Sequence, residues 1–556
     1  MMAESRSGPN GTENNSRDIT QNATSIEEPN SEKDTPQNKI NQATQEPPPP
    51  QLKEGRLWLI LGSLWVGVLL VALDETMIAT IAVPITTTLH SFSSYAWFTT
   101  TYLIGSSVSQ ALSGYLTDLF GRRKGLTVCY ALFTLGILLC GVASNMPMFL
   151  AGRVLQGLGG GAICSITAYV ETDLIPMERR AFIEGLANVC YGVVLALGGL
   201  YGAAVDHSIG WKWAFLIQIP VLVCDGVIVF FIVKVRDEKK DWSNALRHID
   251  LVGMILLLGA IVCCEFGLNT GSTRLVWSTP DVIAPLVIAG VCLLVFVFWE
   301  LRVATNPVVP IGAVTGRTVG SILISSFLST GCFVSIMFYA VLYLQILGLS
   351  NVASGLRLVP LSISFALGSM ITGWIVEFTH RYYYINIGLQ AISALGYGLL
   401  CMLDFETPSW QPFVFLAILG LGIGGTYVTN LMGILTSIPN EHQATVQAVS
   451  WSVRAIGVAS GLTISSVIFQ TVSRTYLHDH LNDDTLVGQF SNTIALDSPV
   501  FHGLDQATQE MIKEGYMEST GAVFYFLLAQ AVLSIFVSLF IENNVIKNAD
   551  SNDSTD

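Results

Sequence analysis

The chain has 556 residues, of which 51% are apolar and only 12% charged, and its mean hydropathy is +0.56. A soluble domain carries about 25% charged residues, so these figures argue against a soluble globular protein and against long disorder, and for repeated membrane spans. The net charge of −14 excludes a phosphate-binding surface and with it a nucleic-acid partner.

The acidity is local. Residues 1–52 hold eight acids against four bases, residues 472–519 eight against two, and residues 541–556 four against one. Together these segments account for nearly all of the net charge, so the remainder is almost neutral.

In chain order, residues 1–55 form a Ser/Thr/Asn/Gln/Glu-rich stretch with four prolines at 47–50. That composition cannot bury a core and predicts a disordered tail. No basic segment followed by an apolar one marks a cleavable leader, so the first span is expected to act as the membrane address. From Arg56 onward fourteen apolar stretches approach the ~20-residue bilayer length. They are 57–82, 95–116, 126–144, 148–170, 183–205, 213–234, 250–268, 281–299, 319–346, 355–376, 383–403, 411–432, 448–470 and 520–541.

Lysine and arginine set the orientation. With the N-terminus in the cytosol, sixteen basic residues flank cytosolic ends, Arg122, Arg123, Lys124, Arg179 and Arg180 among them. Only Lys212, Arg274, Arg474 and Lys513 fall on the other side. An even number of spans with both termini cytosolic follows, and it places the 472–519 loop outside the cytosol.

The chain also repeats itself. Gly114–Arg122 (GYLTDLFGR) returns as Gly373–Arg381 (GWIVEFTHR), Gly157-Leu-Gly159-Gly160 as Gly422-Ile-Gly424-Gly425, and Ile175-Pro176-x-Glu178 through Ala181 as Ile438-Pro439-x-Glu441 through Ala444. Three matches at nearly one offset imply two homologous halves. The predicted domains are therefore the 1–55 tail, a six-helix half at 56–236, two inserted helices at 237–303, a second six-helix half at 304–541 and a 542–556 tail. A parallel duplication of six-helix units is a transporter plan with the substrate cavity between the halves.

Few residues carry chemistry in this neutral interior. The ten cysteines lie in apolar stretches without ligand spacing or a neighbouring histidine, and read as small hydrophobes. The histidines stand singly in loops or flanks, apart from His478 and His480 in the long loop, so an enzyme is not expected; nor is a non-transporting sensor, which would carry longer cytosolic extensions. Asp74 and Glu75 follow an apolar run at 57–73, Arg153 lies in the fourth stretch, Asp225 in the sixth and Arg454 in the thirteenth. Intramembrane charges are costly and mark function by default. Burial raises a carboxyl's proton affinity and a nearby cation lowers it, which makes Asp74 the leading proton carrier and Asp225 the second. Arg153 and Arg454 are the expected answering cations, with Arg357 nearer an interface. Glu265 and Glu300, at the ends of the seventh and eighth stretches, read as interfacial. The glycines at 157–161 partly match a dinucleotide-binding spacing, but no strand precedes them, and close helix packing explains them better.

GYLTDLFGRRKGL (114–126) resembles the signature loop between spans 2 and 3 of the major facilitator superfamily, and LAGRVLQGLGGG (150–161) resembles the span-4 motif of its proton-coupled antiporters. LDETMIATIAVP (73–84) and the span count are similar to the fourteen-span drug:proton antiporters of fungi and bacteria, and YLQILGLS (343–350), with Gly355 and Pro360, fits the same group. The resemblance covers about 57–541. It implies an all-α membrane fold of two six-helix repeats plus two inserted helices, and a monomer that works in the bilayer on a proton gradient with no other cofactor. It further implies export of toxins, drugs or secondary metabolites by alternating access. Gly114 and Gly121 then permit close approach and a sharp turn, and Asp118, Arg122 and their repeats Glu377 and Arg381 form gating latches. Span 5 keeps Gly192, Gly198, Gly199 and Gly202 but has Leu200 where the family motif has proline. Gln218 and HIDLVG (248–253) look closer to fungal vacuolar basic amino acid transporters, so import of basic amino acids into the vacuole is the alternative. The membrane is accordingly the plasma membrane or that of the vacuole.

Overall fold

The computed structural model describes residues 53–89, 95–233, 250–274, 277–305, 307–349, 351–481, 486–487, 490, 501 and 503–543. The expectations for the 1–52 stretch, for Lys234 through Arg247 and for 544–556 lie outside these residues. The described residues contain no strand. Their helices are α1 (Glu54–Thr88), α2 (Tyr95–Phe120), α3 (Arg122–Gly141), α4 (Met146–Leu174), α5 (Met177–Ile209), α6 (Trp211–Leu216), α7 (Gln218–Ile232), α8 (Leu251–Arg274), α9 (Pro280–Arg302), α10 (Ile311–Val314), α11 (Arg317–Ile346), α12 (Asn351–Leu356), α13 (Val359–Thr379), α14 (Tyr383–Leu400), α15 (Gln411–Ser437), α16 (Asn440–His480) and α17 (Gln506–Ser538).

Twelve helices among the described residues, not fourteen, are long and apolar enough to cross a membrane. The expected spans 2 and 11 are helical, as α2 and α14, but their polar content sets them apart. Ser106, Ser107 and Gln110 on α2 and Asn386, Gln390 and Ser393 on α14 are all buried between helices. The twelve show the opposite pattern on their outer faces, where Leu294 and Phe298 of α9 are 73% and 63% exposed. Apolar side chains facing outward suit lipid, which offers no polar partner.

Local sequence explains the breaks. Pro220 falls in the first turn of α7, and the sixth stretch is interrupted at Ile217. Pro360 opens α13, because proline lacks the N–H that a helix interior needs but a first turn does not. The expected 472–519 loop is narrower than the composition suggests. α16 runs on to His480 and α17 begins at Gln506, where the Asp505 side chain caps it by accepting from the Thr508 N–H at 3.2 Å. The two extensions pair with each other, with Leu477, Ile512 and Tyr516 buried between them and Tyr476 donating to Glu514 at 3.0 Å.

Packing repeats with the sequence. In the first half α1 lies on α5, α2 on α4 and α3 on α4; in the second, α11 lies on α16, α13 on α15 and α14 on α15. Each half has its own apolar core. They meet along two symmetry-related pairs, α2 with α16 and α5 with α13, while the inserted α8 packs on α9, α2 and α16.

Candidate functional site

α1 carries Asp74 into the middle of the first half, where it is fully buried. Arg153 of α4 donates from Nη1 to Asp74 Oδ2 at 2.6 Å and to Gln156 Oε1 at 2.9 Å, and Gln156 Nε2 returns to Asp74 Oδ1 at 3.2 Å. Arg153 also donates from Nε to the Phe98 carbonyl at 3.2 Å and lies 4.6 Å over the Tyr102 ring. Asp74 and Arg153, read separately from the sequence, thus form one closed pair that water does not reach. Gln156 was not anticipated, although its spacing of three from Arg153 puts both on one face of α4. Glu75 lies beside Tyr102, with the Tyr191 hydroxyl 3.4 Å from its Oε2.

Asp225 is buried elsewhere. Its Oδ2 accepts from the Tyr130 hydroxyl of α3 at 2.7 Å, and no bond links it to the Asp74 network. Arg454 is also separate from Arg153. Its guanidinium lies 4.7 Å over Tyr427 and 5.3 Å over Trp451, and it lines a cavity of about 20 Å³, room for about one water, between the halves. Glu184 of α5 lines the same cavity from the first half, attracted by Arg454 but not in an ion pair with it. Nearby, Trp65 of α1 donates from Nε1 to Glu171 of α4 at 2.6 Å. Sequence reading overlooked Glu171 and Glu184 because both stand near the ends of their apolar stretches, where acids are ordinarily wet.

The duplicated motifs meet crosswise. Gly114 of α2 touches Ala444 and Ala448 of α16, and its repeat Gly373 of α13 touches Ala181 and Phe182 of α5. Next to these contacts, Gln447 of α16 donates to Thr172 of α4 at 3.2 Å. The two halves are therefore closed on each other at the end that bears the 114–124 loop. Gly121 turns the chain at φ 92, a left-handed conformation that suits glycine. In the second half His380 stands at that place with φ 51, the non-glycine residue with positive φ among those described.

Arg122 pairs with Asp173 of α4 at 3.2 Å, and its Nη1 donates to Thr117 at 2.8 Å. The Asp118 side chain lies outside the described residues. Glu377 and Arg381 stand at the same end on α13 and just beyond it, with Arg381 exposed.

The glycine faces pack as expected. Gly157 and Gly161 bring α4 against α2, and Gly159 against α3; Gly192 meets α13, while Gly198 and Gly202 meet α1. Leu200 points away from those contacts, 43% exposed. Gln218 is buried and donates to the Ala214 carbonyl at 2.9 Å, which makes it a brace across the α6–α7 break. Glu265 and Glu300, read as interfacial, are buried among helices, at 2% and 7% exposure.

Comparison with known proteins agrees with this architecture. The family model of the Major Facilitator Superfamily matches residues 64–462. The vacuolar membrane amino acid uptake transporter fnx2 of Schizosaccharomyces pombe is 29% identical over 87% of this chain and 84% of its own. The multidrug resistance protein fnx1 of the same organism is 27% identical over 87% and 92%, and the efflux pump dotC of Dothistroma septosporum is 28% identical over 74% and 71%. Of solved structures, the human organic anion transporter MFSD10 superposes with a TM-score of 0.56 at 12% identity, over 89% of this chain and 100% of that one. The proton:xylose symporter XylE gives 0.54 at 14% identity, over 89% and 98%; at such identities the likeness is one of fold. This multi-pass membrane protein belongs to the Major Facilitator Superfamily.

Proposed function

We propose that this transporter is a proton-coupled antiporter that moves small organic molecules out of the cytosol by alternating access. The observation that carries the reading is the Asp74–Arg153 pair, 0% and 1% exposed and bridged by Gln156. A buried ion pair is seldom kept for stability, because desolvating both charges offsets most of their attraction. It suits a group that exchanges its cation for a proton. While Asp74 is ionised, Arg153 and Gln156 satisfy both of its oxygens. A proton on Asp74 discharges the pair and frees the Arg153 guanidinium to turn toward other acceptors, and that rearrangement couples proton uptake to movement of α1 against α4.

The end at which the halves are closed is taken as cytosolic, from the lysines and arginines there, with both termini on that side and fourteen spans if α2 and α14 cross. The protein acts as a monomer in this scheme and needs no cofactor beyond the gradient. Gly114, Gly121, Asp118 and Arg122, with Glu377 and Arg381, belong to its cytosolic gate.

The alternative, uptake of basic amino acids from the cytosol into a vacuole, is favoured by two charged groups between the halves, at a void that holds about one water while they are closed and widens when they part. Glu184 of the first half and Arg454 of the second line it together, and suit a substrate that bears an ammonium and a carboxylate. Plasma membrane or vacuole is thus tied to substrate, and a fluorescent C-terminal tag distinguishes them.

The test of coupling is Asp74→Asn in proteoliposomes with an imposed pH gradient. Loss of gradient-driven transport in a variant that still folds and inserts supports the reading, and transport with wild-type pH dependence overturns it.

A further inference from the structure

The two inserted helices are surplus to a six-plus-six plan, yet each carries a buried acid that the transport reading leaves unused, Glu265 on α8 and Glu300 on α9, and the first of these lies against both halves. Glu265 of α8 is 2% exposed. Ser107 of α2 donates its hydroxyl to Oε1 in a short contact, whereas Oε2 is buried without a hydrogen-bond partner.

Its surroundings join three parts of the molecule. Trp97 of α2 packs on Phe266 with ring centroids 5.4 Å apart. The Ser107 carbonyl accepts from Ser452 of α16 at 3.4 Å, and Thr463 of α16 donates to the Leu268 carbonyl at 3.5 Å. One carboxyl therefore sits where the insertion, α2 of the first half and α16 of the second converge. These are the same two helices whose ends lock at Gly114 and Ala444, about two turns away.

Among the described residues no cation answers it. Arg454 of α16 is held over Tyr427 and Trp451 and acts on Glu184. On α2, Tyr102 faces the Asp74–Arg153 centre, and Tyr115 accepts from the Asp250 N–H at the base of α8. On α9, Glu300 accepts from the Val308 N–H and Cys292 lies near Cys263. Cys264, its chain neighbour, is a thiol on which Glu265 acts electrostatically, and it supplies no positive charge. An ionised carboxylate so placed would be desolvated and uncompensated, which is far more costly than a neutral acid.

We propose that Glu265 is a second proton-binding site, through which the inserted helices make the α2–α16 seam sensitive to protons. In the closed arrangement the carboxyl holds its proton and accepts from Ser107. When α2 and α16 part, Ser107 is drawn off, water reaches the carboxyl and the proton leaves for that water. Proton binding at Glu265 then favours closure of the loop-motif end, and deprotonation favours its opening. The inference rests on the transport reading only in that the two halves move.

The test needs no substrate. The purified full chain in lipid nanodiscs is titrated from pH 5 to 9, with infrared absorption reporting protonated carboxyls and amide hydrogen exchange, corrected for intrinsic rate, reporting the α2–α16 seam. In the wild type, exchange in 107–114 and 444–452 should rise about tenfold across the titration, the effect of one pKa unit of coupling. Glu265→Gln preserves the shape and the Ser107 bond, and should remove one carboxyl band and flatten the exchange response. Ser107→Ala, which keeps the acid but not its donor, should shift the response along the pH axis. A Glu265→Gln protein whose bands and seam titrate as in the wild type overturns the proposal. Asp74→Asn separates the two readings, because it should abolish antiport yet leave the Glu265 band in place. If that variant alone silences the seam, Glu265 is only a packing group.

Discussion

Gly114 of α2 lies so close to Ala444 of α16 that a Cβ at 114 would stand 2.9 Å from the Ala444 carbonyl oxygen. The same contact recurs with the halves exchanged, Gly373 against Ala181. Each pair joins one copy of the 114–122 repeat to the opposite copy of the 175–181 repeat, so the duplication supplies both sides of a reciprocal clasp.

Gly114→Val should therefore loosen that end of the molecule. Overpacking costs about 1–3 kcal/mol, enough to shift an open–closed balance roughly 5- to 150-fold. Amide exchange at 444–450 should accelerate accordingly, and Gly373→Val should do the same at 181–185. Unchanged protection would show that the contact does not hold the ends together.

Arg153→Met should destabilise the folded protein by about 3–5 kcal/mol, because it leaves the Asp74 charge buried without its partner. Asp74→Asn together with Arg153→Met should recover most of that loss. Thermal unfolding in detergent reads both, and equal loss in the single and double variants would mean that Arg153 acts through packing alone.

The cavity between the halves makes a prediction about selectivity. Arg454→Ala should weaken transport of arginine at least about tenfold relative to agmatine, which lacks the carboxylate, since a charge-assisted hydrogen bond contributes about 1.5–3 kcal/mol. Glu184→Gln should weaken both. Competitive uptake into sealed vesicles measures the ratio. A uniform fall for every substrate in Arg454→Ala would assign Arg454 to the gate instead.

His380 holds a left-handed backbone at φ 51. His380→Gly should raise stability by roughly 0.5–1 kcal/mol through relief of that strain, net of the added unfolded-state entropy. A fall in thermal midpoint would show that the imidazole, and not the backbone, matters at that turn.

The repeat motifs were legible because their physics is local. Gly121 occupies a turn that needs positive φ, and the glycines at 157–161 make the close packing against α2 and α3 that their spacing implied. Asp74 and Arg153 were legible one at a time, since any charge inside an apolar run draws attention. Their pairing was not, because they are 79 positions apart and nothing in either stretch names its partner. Asp225 stood out equally in the sequence, yet it bonds to Tyr130 and lies apart from that network. The burial of Glu184 and Glu265 was not legible, for one reason. An acid near the end of an apolar stretch looks wet unless neighbouring helices are known to cover it.

The surplus negative charge was thus a sequence-level fact about the ends and one long connection, and the neutral remainder marked the membrane body. Composition, periodicity and duplication determined that this is a helical membrane protein with two related halves, because hydropathy and repetition act along the chain, and the resemblance of its motifs added the expectation of transport. Tertiary structure alone decided which buried charges meet, where Glu184 faces Arg454, and that an inserted helix brings Glu265 to the seam. Coulombic attraction and desolvation depend on distance in space, and helix packing sets that distance.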